Sequence, residues 1–228
     1  MNPPRLAPEI ARAYRYVSIP NISDAMDKLG LSGHPMGVLR LWDACPKLVG
    51  TACTMKLVPV AECDVSPVIG TLEAIVAGHA GDVLVIDGGA SATFNLMGGV
   101  AASTAVQHGL TGCVADGLVR DIDEYKMLGF PVFARGPIQT SVRNRCGYAG
   151  RGMDVTIGGV KVRDGDLMVG DESGLLVVPK EAITDVLKIA QTLKGIEDSV
   201  IAAVRRGEDP VEAHKKVSYD ALTAREGR

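Results

Sequence analysis

A chain of 228 residues and 23.9 kDa with 46% hydrophobic residues has the length and the apolar content for one compact domain with a tail, which excludes a disordered protein. Its 24 basic and 27 acidic residues leave a net charge of -3, and no Lys or Arg run forms a stripe against a phosphate backbone, so nucleic acid is excluded as the expected partner. No apolar run nears the roughly 20 residues of a membrane helix, and the opening MNPPRLAPEIARAYR lacks the apolar stretch of a signal peptide; a cytoplasmic protein with no membrane partner is expected.

Residues 1–30 read as helical, with a helix over 23–29 that Ser23 caps and Gly30 stops, and LSGHPMG (31–37) is a run of breakers. LVGTACTMKLVPV (48–60) is rich in β-branched residues and predicts a strand, and 66–79 predicts a short helix that ends at Gly78. The centre is the most regular part: GDVLVID (81–87) is a buried strand, MGGVAASTAVQHG (97–109) a helix of small residues, and TGCVADG (111–117) a second buried strand. A second pass follows with an amphipathic helix over 121–129 and a strand over 130–136, so the fold class is α/β around a β-α-β core. Short strands at 155–162, 166–171 and 174–179, separated by Gly-Gly, Asp-Gly and Ser-Gly, predict antiparallel hairpins. From 180 to 206 apolar residues recur at helical spacing until Gly207, which predicts a long C-terminal helix. A single domain over 1–207 is expected, with 208–228 as a tail that packs on a neighbour or frays.

The five cysteines form no C-x-x-C pair, and their odd number indicates free thiols rather than a disulfide framework. The four histidines never take the spacing of a zinc-protease helix. The chemistry is expected elsewhere. In a right-handed β-α-β unit the C-terminal ends of both strands share one sheet edge, where ligands bind. At the first strand's end, GGASATFNL leads into the helix at Gly98 and Gly99, whose backbone N–H groups can cradle a carboxylate or phosphate; close helix–sheet packing is the alternative role of these glycines. The second strand ends in Asp116, Gly117, Arg120 and Asp121. A guanidinium grips a carboxylate with two parallel hydrogen bonds, and an adjacent carboxylate holds a magnesium-like ion through one oxygen and several waters. The alternative is a helix cap beside a solvated charge.

The runs GDVLVID, GLTGCVADGLVRD, FPVFARG and RDGDLMVGDESGLLVVP together resemble the 4-hydroxy-4-methyl-2-oxoglutarate aldolases and their RraA-like relatives, some labelled dimethylmenaquinone methyltransferase. The likeness covers about residues 20–205. It implies a swivelling β/β/α domain in homotrimers or homohexamers, and a class II, metal-dependent lyase that forms pyruvate enolate, either by aldol cleavage of 4-hydroxy-2-oxo diacids or by decarboxylation of oxaloacetate. It further implies that Arg120, with the amides of Gly98, Gly99, Val100 and Ala101, binds the 2-oxo acid carboxylate. Asp121 would bind Mg2+ or Mn2+, and Glu197 of a neighbouring subunit would complete the metal's outer shell. An ordinary exposed helix position is the other role for Glu197. A non-catalytic regulator of ribonuclease activity is the alternative function. Methyl transfer has no support, because the chain has no G-x-G-x-x-G-type loop.

One position departs from the resemblance. The aldolases carry an acid after the first helix glycine, and this chain has Gly99. Retro-aldol cleavage needs a base for the carbinol proton, whereas a β-keto acid decarboxylates with an electron sink alone. The loss of that acid threatens aldol cleavage more, unless Asp87, Asp116 or His34 replaces it.

Overall fold

The computed structural model describes residues 2–217. Two helices open the chain, α1 (Pro8–Tyr16) and α2 (Ile19–Lys28). The cap of α2 is Ser18, whose hydroxyl accepts from the Asn21 amide, rather than the expected Ser23. Pro20 explains the difference: its fixed φ and missing N–H suit the first helical turn, so the helix starts before it and Ser23 falls in the interior. Gly30, at φ 68°, ends the segment as expected.

After the short β1 (Leu39–Arg40) come β2 (Leu48–Pro59), α3 (Pro67–Ala77), β3 (Asp82–Asn95), α4 (Gly99–Gln107), β4 (Gly112–Val119), α5 (Ile122–Leu128) and β5 (Val132–Pro137). Strands β2, β3, β4 and β5 pair in parallel, each joined to the next by a helix. The expected loop after residue 87 remains extended as far as Asn95, with two register shifts against β4. A further strand, β6 (Cys146–Arg151), was not anticipated; its glycines lie flush against neighbours, a Cβ on Gly147 falling on the Cys63 carbonyl. The predicted hairpins are β7 (Val155–Ile157) with β8 (Val160–Val162), and β9 (Leu167–Asp171) with β10 (Gly174–Val178). Both pairs are antiparallel, but β9 also pairs with β2, so the second hairpin belongs to the main sheet, in the order β1-β5-β4-β3-β2-β9-β10 with β6 on β2.

Alternation along the strands sorts the side chains onto two faces. Leu84, Ile86, Cys113, Ala115 and Met55 face α3, α4 and α5, and Val49, Leu167, Val169 and Leu176 on the same face meet α1, α2 and the long α6 (Ile183–Arg205). Val83, Val85, Val114, Phe133 and Met168 pack on the other face against Val155, Ile157 and Val162 of the β7–β8 hairpin. The layers are therefore hairpin, sheet and helices, as expected of a β/β/α domain. Each fully buried aliphatic side chain contributes roughly 1.5–3 kcal/mol to holding these layers together. Beyond Gly207, α7 (Pro210–Val217) packs on α6 with Ala213 buried; the rest of the expected tail, 218–228, lies outside the described residues. Among the described residues, no helix is long and apolar enough to cross a membrane.

Candidate active site

The parallel order places the ends of β3 and β4 on one edge, and a cleft of about 110 Å³ opens there. Gly98, Gly99, Val100, Ala101, Arg120 and Asp121, all expected from the sequence, line it together. Pro67, Val68, Thr71 and Leu72 of α3 form a largely apolar wall, and Ser141, Val142 and Arg143 close the other side.

The first intrahelical bond of α4 runs from the Ala102 amide to the Gly98 carbonyl. The amides of Gly99, Val100 and Ala101 therefore stand outside the helical ladder at its positive end. The Gly99 amide donates to Asp121 Oδ2 at 2.8 Å. A Cβ at 98 would stand 2.8 Å from Asp121 Oδ2 and 3.2 Å from Arg120 Nε, so a larger residue there would displace both side chains. Asp121 caps α5 in the left-handed conformation, at φ 62° and ψ 43°, which costs a non-glycine residue about 1 kcal/mol or more. That turn swings its carboxylate back onto the start of α4.

Arg120 is anchored through its backbone, whose amide donates to the Met97 carbonyl at 3.1 Å. Its Nε is buried without a hydrogen-bond partner. Asp121 Oδ2, 3.5 Å away, is an ionic neighbour but lies too far for a good hydrogen bond. An unsatisfied buried donor costs about 1–3 kcal/mol, more when charged, and an entering anion relieves that cost. The Met97 carbonyl also accepts from the buried Tyr125 hydroxyl at 3.0 Å and from Asn95 Nδ2 at 3.1 Å, so the strand end, both helix starts and the cleft floor are tied to one atom. Burial raises the Tyr125 hydroxyl above its ordinary range, which keeps it a neutral donor.

Asp87 and Asp116 do not reach the cleft. They share the parity of Val85 and Val114 and so lie on the hairpin face. Asp87 accepts from the Gly89 and Thr156 amides, and Asp116 from the Gly158 amide and from Arg135 Nε at 2.5 Å. His34 contacts Ser23 Oγ at 2.9 Å, also away from the cleft. The acid beside Gly99 is Glu124: a Cβ on Gly99 would meet its Cγ at 3.0 Å and its Cβ at 3.4 Å, and Ser103 Oγ donates to its Oε1. The sequence reading missed Glu124, although its place three residues after Asp121 puts both on one side of α5. It also missed Asn95 and Arg143, for which no motif exists. Within one chain Glu197 does not line the cleft; its Oε2 accepts from Asn21 Nδ2 at 2.9 Å.

Among the described residues no group of three or more His, Cys, Asp or Glu could enclose a metal ion. A zinc-type site with three or four protein ligands does not fit. A magnesium-type ion does, because it keeps most of its waters and needs one or two carboxylates, and one Asp121 oxygen has no protein partner.

The family model described as RraA-like, Aldolase/RraA, matches residues 19–177. A relative from Halalkalibacterium halodurans named "Putative 4-hydroxy-4-methyl-2-oxoglutarate aldolase" is 34% identical over 78% of this chain and 80% of its own. Protein DlpA of Legionella pneumophila is 26% identical over 87% of this chain, which spans 32% of the length of that relative. Among solved structures, Streptomyces coelicolor RraAS2, described as an unusual member of the RNase ES inhibitor RraA protein family, superposes with a TM-score of 0.75 at 25% identity, covering 85% of this chain and 96% of the other.

Proposed function

Because the chain belongs to the RraA-like family, we propose that it is a carbon–carbon lyase that acts on a small 2-oxo acid and releases pyruvate or a similar enolate product. The observation that carries this reading is the buried, unpartnered Arg120 Nε in a cleft shared with the free amides at the start of α4. Arg120 and the Val100 and Ala101 amides bind the 2-oxo acid carboxylate and fix the plane of the adjacent carbonyl. Asp121 would hold Mg2+ or Mn2+, and the ion would supply the Lewis acidity that stabilises enolate charge.

The residues present divide the labour. The Gly99 amide holds one Asp121 oxygen in place, so that the carboxylate does not need to reorganise as charge develops. The apolar wall from α3 limits water, which strengthens each of these interactions. Glu124 occupies the space beside Gly99, and it is the group that can take the carbinol proton in aldol cleavage, directly or through a water. Decarboxylation of oxaloacetate needs no such base. A homotrimer or homohexamer, with Glu197 approaching from a neighbouring subunit, belongs to the same reading.

The test is pyruvate release by the purified protein with Mg2+ or Mn2+, from oxaloacetate and from 4-hydroxy-4-methyl-2-oxoglutarate. Failure with both substrates would sink the lyase. The likeness to RraAS2 favours a second reading, a binding protein that docks on a ribonuclease. Stoichiometric inhibition of a ribonuclease by a protein inactive on both acids would establish that alternative.

A further inference from the structure

A second arginine borders the cleft that holds Arg120. Arg143 lines it from the loop after β5, and among the described residues its side chain has no hydrogen bond or ion pair, although its backbone amide donates to Ser141 Oγ. The loop backbone, in contrast, is firmly held. Val142 is buried and its amide donates to Asn95 Oδ1 at 2.8 Å, while Arg145 Nη1 donates to the carbonyls of Ser141 at 2.9 Å and Arg143 at 3.2 Å. Asn144 takes a left-handed turn at φ 63°. Asn95 ties the loop backbone to the end of β3, and among the described residues nothing uses the planar fork of the exposed Arg143.

The cleft is lined by Arg120, Arg143 and Asp121, with Glu124 beside Gly99, so its two guanidiniums face two carboxylates and the divalent ion that Asp121 would hold tips the site toward positive charge. A singly charged 2-oxo acid needs only Arg120. Two guanidiniums in one small cleft match a ligand with a carboxylate at each end.

We propose that Arg143 binds the distal carboxylate of a dicarboxylic 2-oxo acid, and so makes the site select short diacids over 2-oxo monoacids. This assignment rests on the reading of Arg120 as the grip on the carboxylate next to the ketone. Arg143 is a specificity residue, with no part in the bond that breaks.

The experiment is a calorimetric titration of the full chain in magnesium with 2-oxoglutarate and with 2-oxopentanoate, acids of equal carbon count that differ in the distal carboxylate. The wild type should bind the diacid roughly ten- to a hundredfold more tightly, the contribution of one charge-assisted two-pronged contact. Arg143→Gln should abolish that preference without changing 2-oxopentanoate binding, and Arg143→Lys should retain part of it. A preference that survives Arg143→Gln, equal binding of the two acids by the wild type, or binding of neither would overturn the assignment. The two readings also separate. A diacid preference lost with Arg143, in a protein that releases no pyruvate, leaves this assignment standing and removes the lyase; pyruvate release with an Arg143-independent preference does the reverse.

Discussion

Gly99 and Asp121 are bonded across the floor of the cleft: the Gly99 amide donates to Asp121 Oδ2 at 2.8 Å, and Asp121 reaches back for it from a left-handed turn at φ 62°. The bond ties the starts of α4 and α5 together and commits one carboxylate oxygen to the fold. The second oxygen is the one available for chemistry.

Asp121→Asn separates these roles. Asparagine tolerates the left-handed conformation, and its amide oxygen still accepts from Gly99, so stability should change by less than about 1 kcal/mol in urea unfolding. The charge that would hold the metal is gone, and pyruvate release should fall roughly a hundredfold or more. An Asn variant with wild-type turnover would remove Asp121 from the catalytic site.

Arg120→Lys keeps the charge and loses the planar fork. The buried Nε that waits for an anion disappears, and an ammonium cannot make two parallel bonds from the same anchor. The expected result is a roughly ten- to hundredfold drop in kcat/KM, carried mainly by KM. A full recovery by lysine would mean that Arg120 acts as a point charge only.

Glu124→Gln distinguishes the two lyase reactions. The glutamine still fills the space beside Gly99 and still accepts from Ser103, so the fold should be unaffected. It cannot take a proton. Aldol cleavage should fall on the order of a hundredfold, while oxaloacetate decarboxylation changes by no more than about threefold. Equal losses in both reactions would assign Glu124 to metal binding rather than proton transfer.

The central pair of strands and the helix between them were legible in the sequence because short buried apolar runs and glycines at a helix start are local signals, whereas the β/β/α layering was implied by the family resemblance alone. Arg120 and Asp121 were legible for the same reason, as they follow directly on a buried strand. Glu124 could have been found from its spacing to Asp121. Arg143 and Asn95 could not, because they reach the cleft only through a register shift at the end of β3 and a loop folded onto it. Asp87 and Asp116, two of the acids that could have replaced the one missing at Gly99, are sent by their strand parity to the hairpin face.

Stability should decline in alkali. Burial pushes the Cys146 thiol up to about 11, and burial, with the nearby Asp82 and Asp164 charges, pushes Cys53 up to about 12, against an ordinary 9.0. Well below pH 9.0 these thiols are neutral in both states and contribute no slope. Above it the unfolded chain releases protons that the folded chain retains, so stability falls as pH rises toward the folded values. Urea midpoints measured from pH 8 to about pH 11 should fall steadily, and less steeply in a Cys53→Ala, Cys146→Ala variant. An unchanged slope in that variant would assign the decline to other groups.

Asn95 joins the floor of the cleft to the loop that carries Arg143. The residue is buried; its Nδ2 donates to the Met97 carbonyl at 3.1 Å, its Oδ1 accepts from the Val142 amide at 2.8 Å, and its own amide donates to the Thr140 carbonyl at 2.9 Å. Asn95→Ala leaves the Val142 amide buried without an acceptor and opens a small void, which should cost about 3 kcal/mol in urea unfolding. The Met97 carbonyl keeps its bonds from Tyr125 and Arg120, so the floor of the cleft stays in place. The loop that carries Arg143 loses the side-chain bond at Val142 and keeps only the backbone bond at Thr140 to this strand end. Diacid binding should therefore weaken more than monoacid binding, with turnover at saturating substrate reduced by less than about threefold. A variant that loses stability and binds both acids as the wild type does would show that the remaining backbone bonds hold the loop.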